Sequence, residues 1–419
     1  MLNLTLTQTI DSPKTSEIKP DVVAESKPFR IASIDILRAI TMVLMIFVND
    51  LWSLQNIPVW LEHVSYEADG MGLADTIFPG FLFIVGMSIP LAIANRRKKG
   101  DTMPQLLWHI ASRTLALLVM GVFLVNGENI NAAATGMPRL LWYTLSCISF
   151  ILIWNVYPKQ LNVWLTRALQ AAGVIILLIL AFLYRGGEAE NINRFSTYWW
   201  GILGLIGWSY LVGAMVTALA GKRYYIILAA WLVFCALSML SNADMIPKDG
   251  MLQYIPGAIL GGTLPALTLG GVLITLLFEH FARQNEYNKM MLALFAISVG
   301  LILLSMYTRT FWGISKLRAT PAWLFICSAF TILAFMAIFY IADMRKKAHL
   351  FTFIKPAGTD TLLCYLIPYF SYALVNVLGI QWPELMLTSI VGLIKSFAFA
   401  LLCVWVTSVL SKNRIRLKL

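Results

Sequence analysis

The sequence predicts an all-α polytopic membrane protein, a bundle of about 12 transmembrane helices with both termini in the cytoplasm. Three observations carry that expectation. The chain is 59% hydrophobic and only 13% charged, with a mean hydropathy of +0.75, whereas a soluble domain carries about 25% charged residues. The apolar residues fall into runs of the ~20 needed to cross a bilayer. The Lys and Arg residues gather in short clusters between those runs, as they do in the cytoplasmic loops of a spanning protein. The net charge of +11 is therefore a topology signal. No separate basic domain is present, so a nucleic-acid partner is rejected, and the partner implied is a lipid bilayer.

Residues 1–30 are polar, with scattered Ser, Thr, Lys and Pro. They lack the apolar core of a signal peptide and are expected to form a disordered cytoplasmic tail. A membrane domain over 31–411 follows, and 412–419 are a short basic cytoplasmic tail. Helices are predicted near 31–52, 73–95, 105–126, 138–157, 162–184, 198–220, 224–241, 256–280, 289–308, 321–342, 357–379 and 386–410. Within the eighth, Pro256, Pro265 and several glycines predict a bend near Pro265. Asp360 opens the eleventh as a candidate cap. Gly201, Gly204 and Gly207 line a face suited to close packing, within one chain or in a homodimer.

Orientation follows from the basic clusters Arg96–Lys99, Lys222–Arg223, Arg345–Lys347 and Lys412–Lys418, which fall on one side with both termini. The opposite loops carry Glu62, Glu67, Asp69, Glu128, Glu188, Glu190 and Asp244, and they carry His63. His109, His280 and His349 lie on the cytoplasmic side. One opposite loop, RTFWGISKLRATP, breaks the rule with Arg309, Lys316 and Arg318. These are either local exceptions to a statistical bias or cations aimed at an anionic ligand.

The five cysteines lie in apolar stretches without metal spacing, and buried Cys behaves as a small hydrophobe. No metal is expected. No Walker, Rossmann or EF-hand pattern occurs, so ATP-driven transport has no support.

The chemistry concentrates between Ile34 and Pro90, where two apolar helices flank a polar loop. His63 in that loop has an imidazole able to take or give a proton at neutral pH. A general base needs a partner that fixes its tautomer. Asp75, Glu62, Glu67 and Asp69 are all near enough in sequence, and Asp75, at the mouth of the next helix, is the first choice. Asn49 ends the first helix with an amide donor of the kind that steadies an oxyanion. The plain alternative is that His63 is an interfacial loop residue bonded to water. Asp35 and Arg38 share a helix face. They either pair with each other or leave the Arg38 guanidinium for a phosphate, with Arg113 beside it. Lys395, deep in the last helix, snorkels or salt-bridges.

SIDILRAITMVLMIFVND (33–50) and GLADTIFPGFLFIVG (72–86) resemble the heparan-alpha-glucosaminide N-acetyltransferase family and its bacterial relatives. Weaker agreement occurs at ISK (314–316) and PAGTDTLLCY (356–365), where Asp360 stands in place of the family's usual asparagine. The resemblance implies a transmembrane acyltransferase domain, with His63 catalytic and Asn49 its partner, to which the reading of the loop adds Asp75. It implies acetyl-CoA as co-substrate, entering from the cytoplasm with its phosphates on cations drawn from Arg38, Arg113, Lys316 and Arg318. It implies an amino-sugar acceptor of glucosamine type on the other side of a bacterial inner (plasma) membrane. Direct transfer and an acetyl-His63 intermediate are both open. The competing readings are an amino-sugar or muropeptide transporter, disfavoured by the missing internal repeat, and an O-acetyltransferase acting on a surface polysaccharide.

Overall fold

A computed structural model describes residues 32–188, 191–221, 223–247 and 250–419. The tail assigned to 1–30 lies outside the described residues. Twelve long helices carry the fold: α1 Ala32–Asp50, α2 Leu73–Lys98, α3 Met103–Glu128, α4 Arg139–Trp154, α5 Val163–Leu183, α6 Gly201–Ala220, α7 Tyr224–Asn242, α8 Thr263–Arg283, α9 Tyr287–Trp312, α10 Pro321–Phe339, α11 Thr361–Val377 and α12 Ser389–Lys412. Among the described residues ten are long and apolar enough to cross a membrane, and α4 and α11 are shorter apolar helices. The protein is a multi-pass helical membrane bundle.

Successive helices run antiparallel, so the connections sort to two ends. At one end the chain between α1 and α2 meets the start of α12, where the Gln55 N–H donates to Leu387 O at 2.8 Å. It also meets the α9–α10 loop, where the Gly70 N–H donates to Ile314 O at 2.9 Å. At the far end the Arg97 guanidinium caps α6 by donating to Ala218 O at 2.8 Å. There, too, the C-terminal segment lies along the end of α4, with Val156 N–H donating to Arg416 O at 2.9 Å. Residues 414–419 are thus docked by backbone pairing beyond α12.

The helices divide by exposure into an inner and an outer set. α1, α2 and α3 bury about two thirds or more of their most apolar stretch, whereas α5, α7 and α9 bury only 17%, 17% and 22% of theirs. An apolar helix that hides so little of itself inside the protein has lipid as its remaining apolar environment. Between inner helices contact depends on small residues. A Cβ added to Gly207 would sit 3.1 Å from the Leu117 Cβ of α3, and Gly204 packs there as well. The Gly201–Gly204–Gly207 face is therefore spent inside the protomer and is closed to a second copy.

Two sequence expectations are corrected. The predicted helix at 256–280 is broken, but at Gly261–Gly262, between a turn at Gly257–Leu260 and α8. Gly262 has φ +74°, and any Cβ there would strike the backbone of Phe234 and Ser238, so the reversal needs glycine. Pro265 lies in the first turn of α8, where no intrahelical N–H is required, and the break falls ahead of it. Asp360 precedes α11 but makes no side-chain cap. Its carboxylate instead accepts from Thr359 Oγ1 at 3.1 Å.

Candidate active site

The site is assembled around the first turn of α2. Asp75 is the third residue of that helix, and its Oδ2 accepts the N–H of Gly72 at 3.1 Å and of Val64 at 3.0 Å. The first bond satisfies one of the helix's orphan donors. The second draws in the loop that carries His63. That approach needs glycine at 72, because a Cβ there would collide with Glu62 O and lie 3.2 Å from Trp60 O. Asp75 Oδ1 is left for the ring of His63, at 2.7 Å from Nδ1. The carboxylate is 3% exposed and the imidazole 48%. The aspartate is built in, and the histidine presents its other face outward.

The backbone of Asp75 is held as firmly as its side chain. Pro79, four residues on, has no N–H to give, so the Asp75 carbonyl lacks its usual helical donor. Trp323 of α10 fills that place, donating Nε1–H to Asp75 O at 3.0 Å. Trp323 is 1% exposed. The spacing of Asp75 and Pro79 already signals a free carbonyl. Nothing in the sequence points to Trp323 as its partner.

The α9–α10 loop closes the site from the side. Asp69 pins it: Asp69 Oδ1 accepts the Ile314 N–H at 2.7 Å, and Asp69 Oδ2 accepts from the Arg309 guanidinium at 2.9 Å. The Ile314 hydrogen bond, then Arg309 and Arg318, hold the Asp69 carboxyl below its ordinary range, against the opposing effect of burial. The tether brings in Lys316, whose Nζ lies 3.2 Å from His63 Nδ1 and 3.9 Å from Asp75 Oδ1. Burial lowers the pKa of Lys316, and the neighbouring Asp75 acts against that shift.

The chemistry of the two partners assigns the tautomer. Asp75 Oδ1 at 2.7 Å and the Lys316 ammonium at 3.2 Å both face Nδ1. A carboxylate can only accept and an ammonium can only donate. Oδ2 is already occupied by two N–H donors, so Oδ1 needs a proton from the ring. Nδ1 therefore carries the hydrogen and gives it to Asp75. Lys316 then serves the carboxylate as a neighbouring charge, and Nε2 is the ring nitrogen turned away from both groups.

Among the described residues, the others singled out by sequence form no hydrogen bond or ion pair with His63 or Asp75. Asn49 is exposed in the last turn of α1, and among the described residues no hydrogen bond joins it to His63 or Asp75. Its neighbour Asp50 is buried, accepting from Ser396 Oγ at 2.6 Å and Tyr372 Oη at 2.9 Å, with Lys395 Nζ 3.1 Å away. Lys395 thus salt-bridges. Arg38 belongs to the far half of α1 and bonds Ser88 Oγ at 2.6 Å, Gly358 O at 3.1 Å and Asp35 at 3.2 Å. Arg113 lies over the Tyr210 ring at 4.7 Å, with a buried Nε lacking a hydrogen-bond partner. Arg318 likewise has a buried, unpartnered Nε, close to Asp69. Lys316 and Arg318 therefore share the His63 end, and Arg38 and Arg113 are at the other.

Comparison with known proteins meets this geometry at α1–α5. Residues 30–186 match the family described as heparan-alpha-glucosaminide N-acetyltransferase, catalytic. That part of the chain is related to the acetyltransferase family. The human heparan-alpha-glucosaminide N-acetyltransferase (Homo sapiens) is 35% identical over 103 residues, 24% of this chain and 14% of that protein. The mouse protein of the same name (Mus musculus) is 31% identical over 118 residues, 27% of this chain and 16% of its own length. The alignments thus cover about one seventh of each relative. The matched region contains His63 and Asp75 but not Lys316, Trp323 or Lys395, which are brought to the site end from outside it.

Proposed function

We propose that this chain is a transmembrane N-acetyltransferase. It moves an acetyl group from cytoplasmic acetyl-CoA to the amine of a glucosamine-type sugar on the non-cytoplasmic side of a bacterial plasma membrane. The observation that carries the reading is the His63–Asp75 pair, which leaves Nε2 as an outward-facing base within the stretch related to acetyltransferases.

In this reading Asp75 holds the imidazole in the Nδ1–H tautomer and stabilises the imidazolium that forms. The sugar amine attacks the thioester carbonyl, and Nε2 takes the proton it sheds. The N–C bond forms and the C–S bond breaks. His63 returns the proton to the departing thiolate, so the enzyme ends as it began. Lys316 supplies positive charge beside the pair, and Asn49 donates to the oxyanion once substrate is seated. The acetyl group reaches His63 through the bundle, and the amine arrives from outside.

The test is acetyl-CoA turnover by purified protein in detergent, with and without glucosamine. Turnover should require the amine, and His63→Ala should abolish it while leaving a folded protein that still binds CoA. Full transfer by purified His63→Ala protein would end this reading.

A further inference from the structure

The end of the bundle away from His63 holds a cleft that the acetyl-transfer chemistry leaves unused. It has a volume of about 480 Å³ and lies between the chain leaving α4 and the chain leaving α12. Four cations line it, Lys159, Lys412, Arg414 and Arg416, and no Asp or Glu does. Among the described residues none of the four forms an ion pair with a carboxylate. All four are exposed.

The walls are fixed. Arg416 N–H donates to Asn155 Oδ1 at 2.8 Å and Lys418 N–H to Trp154 O at 3.2 Å. Leu417, 9% exposed, packs between these bonds as an anchor. Arg414 takes the left-handed conformation, φ +67°, which turns the chain back over the helix end. Arg416 spends its Nε on Ser411 O at 3.2 Å, leaving both terminal nitrogens uncommitted. Ser411 itself is 8% exposed, and its Oγ is buried in the cleft wall with no hydrogen-bond partner. A buried hydroxyl without a partner costs free energy that a ligand or an ordered water would recover.

The bias of basic residues toward one membrane face needs only charge in loops. It needs no concave site, no backbone ladder holding the charges together, and no buried hydroxyl in the wall. Four unneutralised cations around one cleft repel each other unless an anion joins them. Arginine terminal nitrogens suit phosphate oxygens, which they bind in pairs.

We propose that this cleft binds a ligand carrying two or more phosphate groups, held by Lys159, Lys412, Arg414 and Arg416. Two sources offer that chemistry: a soluble nucleoside diphosphate, and a membrane lipid with a doubly phosphorylated head group. The site stands independently of acetyl transfer, and its test needs no turnover.

The protein is placed in nanodiscs of zwitterionic lipid, and pyrophosphate and ADP are titrated by calorimetry. In parallel, nanodiscs doped with a two-phosphate lipid are compared for lipid retained by the protein. The variant is Lys412→Gln/Arg414→Gln, with Lys159→Gln alone as a second, milder change. The control is Lys346→Gln/Lys347→Gln, two exposed cations at the same end but outside the cleft. Binding of ADP or pyrophosphate that the double variant weakens at least about tenfold, with the control unchanged, establishes the soluble source. Lipid retention lost in the double variant, with no soluble binding, establishes the membrane source. If no probe binds wild type, or variant and control weaken binding equally, the proposal is overturned.

Discussion

Asparagine at position 75 tests the site most sharply, because the structure gives it no neutral placement. The Asp75 carboxylate receives three donors: the His63 ring at 2.7 Å, the Val64 N–H at 3.0 Å and the Gly72 N–H at 3.1 Å. Asparagine has one accepting oxygen and one donating NH2. If the oxygen takes the two backbone donors, the NH2 faces Nδ1 and makes it an acceptor. The ring proton then moves to Nε2, and the base is lost. A misplaced proton on a general base costs about 10²–10⁴ in rate. If the amide turns over, the NH2 opposes two buried N–H groups, each left unsatisfied at about 1–3 kcal/mol. Asp75→Asn should therefore lose at least about a hundredfold in kcat, with KM for acetyl-CoA little changed, or else lose several degrees in Tm. Steady-state acetyl transfer and thermal unfolding in the same detergent read both arms. Wild-type kcat together with wild-type Tm would refute the assignment of Asp75 and the tautomer argument with it.

Three further outcomes follow from the geometry. Asp69 has a carboxyl held below its ordinary value by Ile314 and Arg309, so its tether is complete above the unfolded value of 3.8 and is lost as pH falls through the lowered one. The protection factors of amides 313–320, taken against the slower intrinsic exchange in acid, should fall as pH drops in wild type and should already be low at neutral pH in Asp69→Asn. The buried Asp50–Lys395 pair is stabilising only as a pair. Asp50→Asn or Lys395→Met alone should cost about 3–5 kcal/mol, whereas the double variant should recover much of that in urea or thermal unfolding. Gly358 lies against α1, where a Cβ would collide with Asp35 O and come within 3.1 Å of the Ala39 Cβ. Gly358→Ala should destabilise by about 1–3 kcal/mol, and Gly300→Ala, whose added Cβ meets nothing within 4 Å, should be neutral or mildly stabilising.

Much of the fold was legible because the bilayer is a strict solvent. A span must be apolar for about 20 residues and must satisfy its own backbone, so each long helix announces itself in a local window. The α1 and α2 ends of the site were legible for a related reason. His63 and Asp75 are twelve residues apart on one loop and the helix it feeds. The motif that holds them, with Pro79 freeing a carbonyl, is local chemistry. Gly262 in place of Pro265 as the break shows the limit of that local view. Proline in a first turn costs nothing, and only the approach of α7 makes glycine compulsory at 262.

What composition and local pattern determined by themselves is the helical membrane bundle, its approximate spans, and a short set of acidic candidates beside His63 with Asp75 first among them. Only the tertiary structure decided which distant groups complete that pair. Lys316 and Trp323 come from 241 and 248 residues beyond Asp75, Arg309 finds Asp69 rather than a ligand, and the last residues of the chain fold back to wall a basic cleft. Side-chain identity sets what a group can donate or accept. Which partner it meets depends on helix packing, and packing in lipid is directed by small residues and shape that no short window of sequence contains.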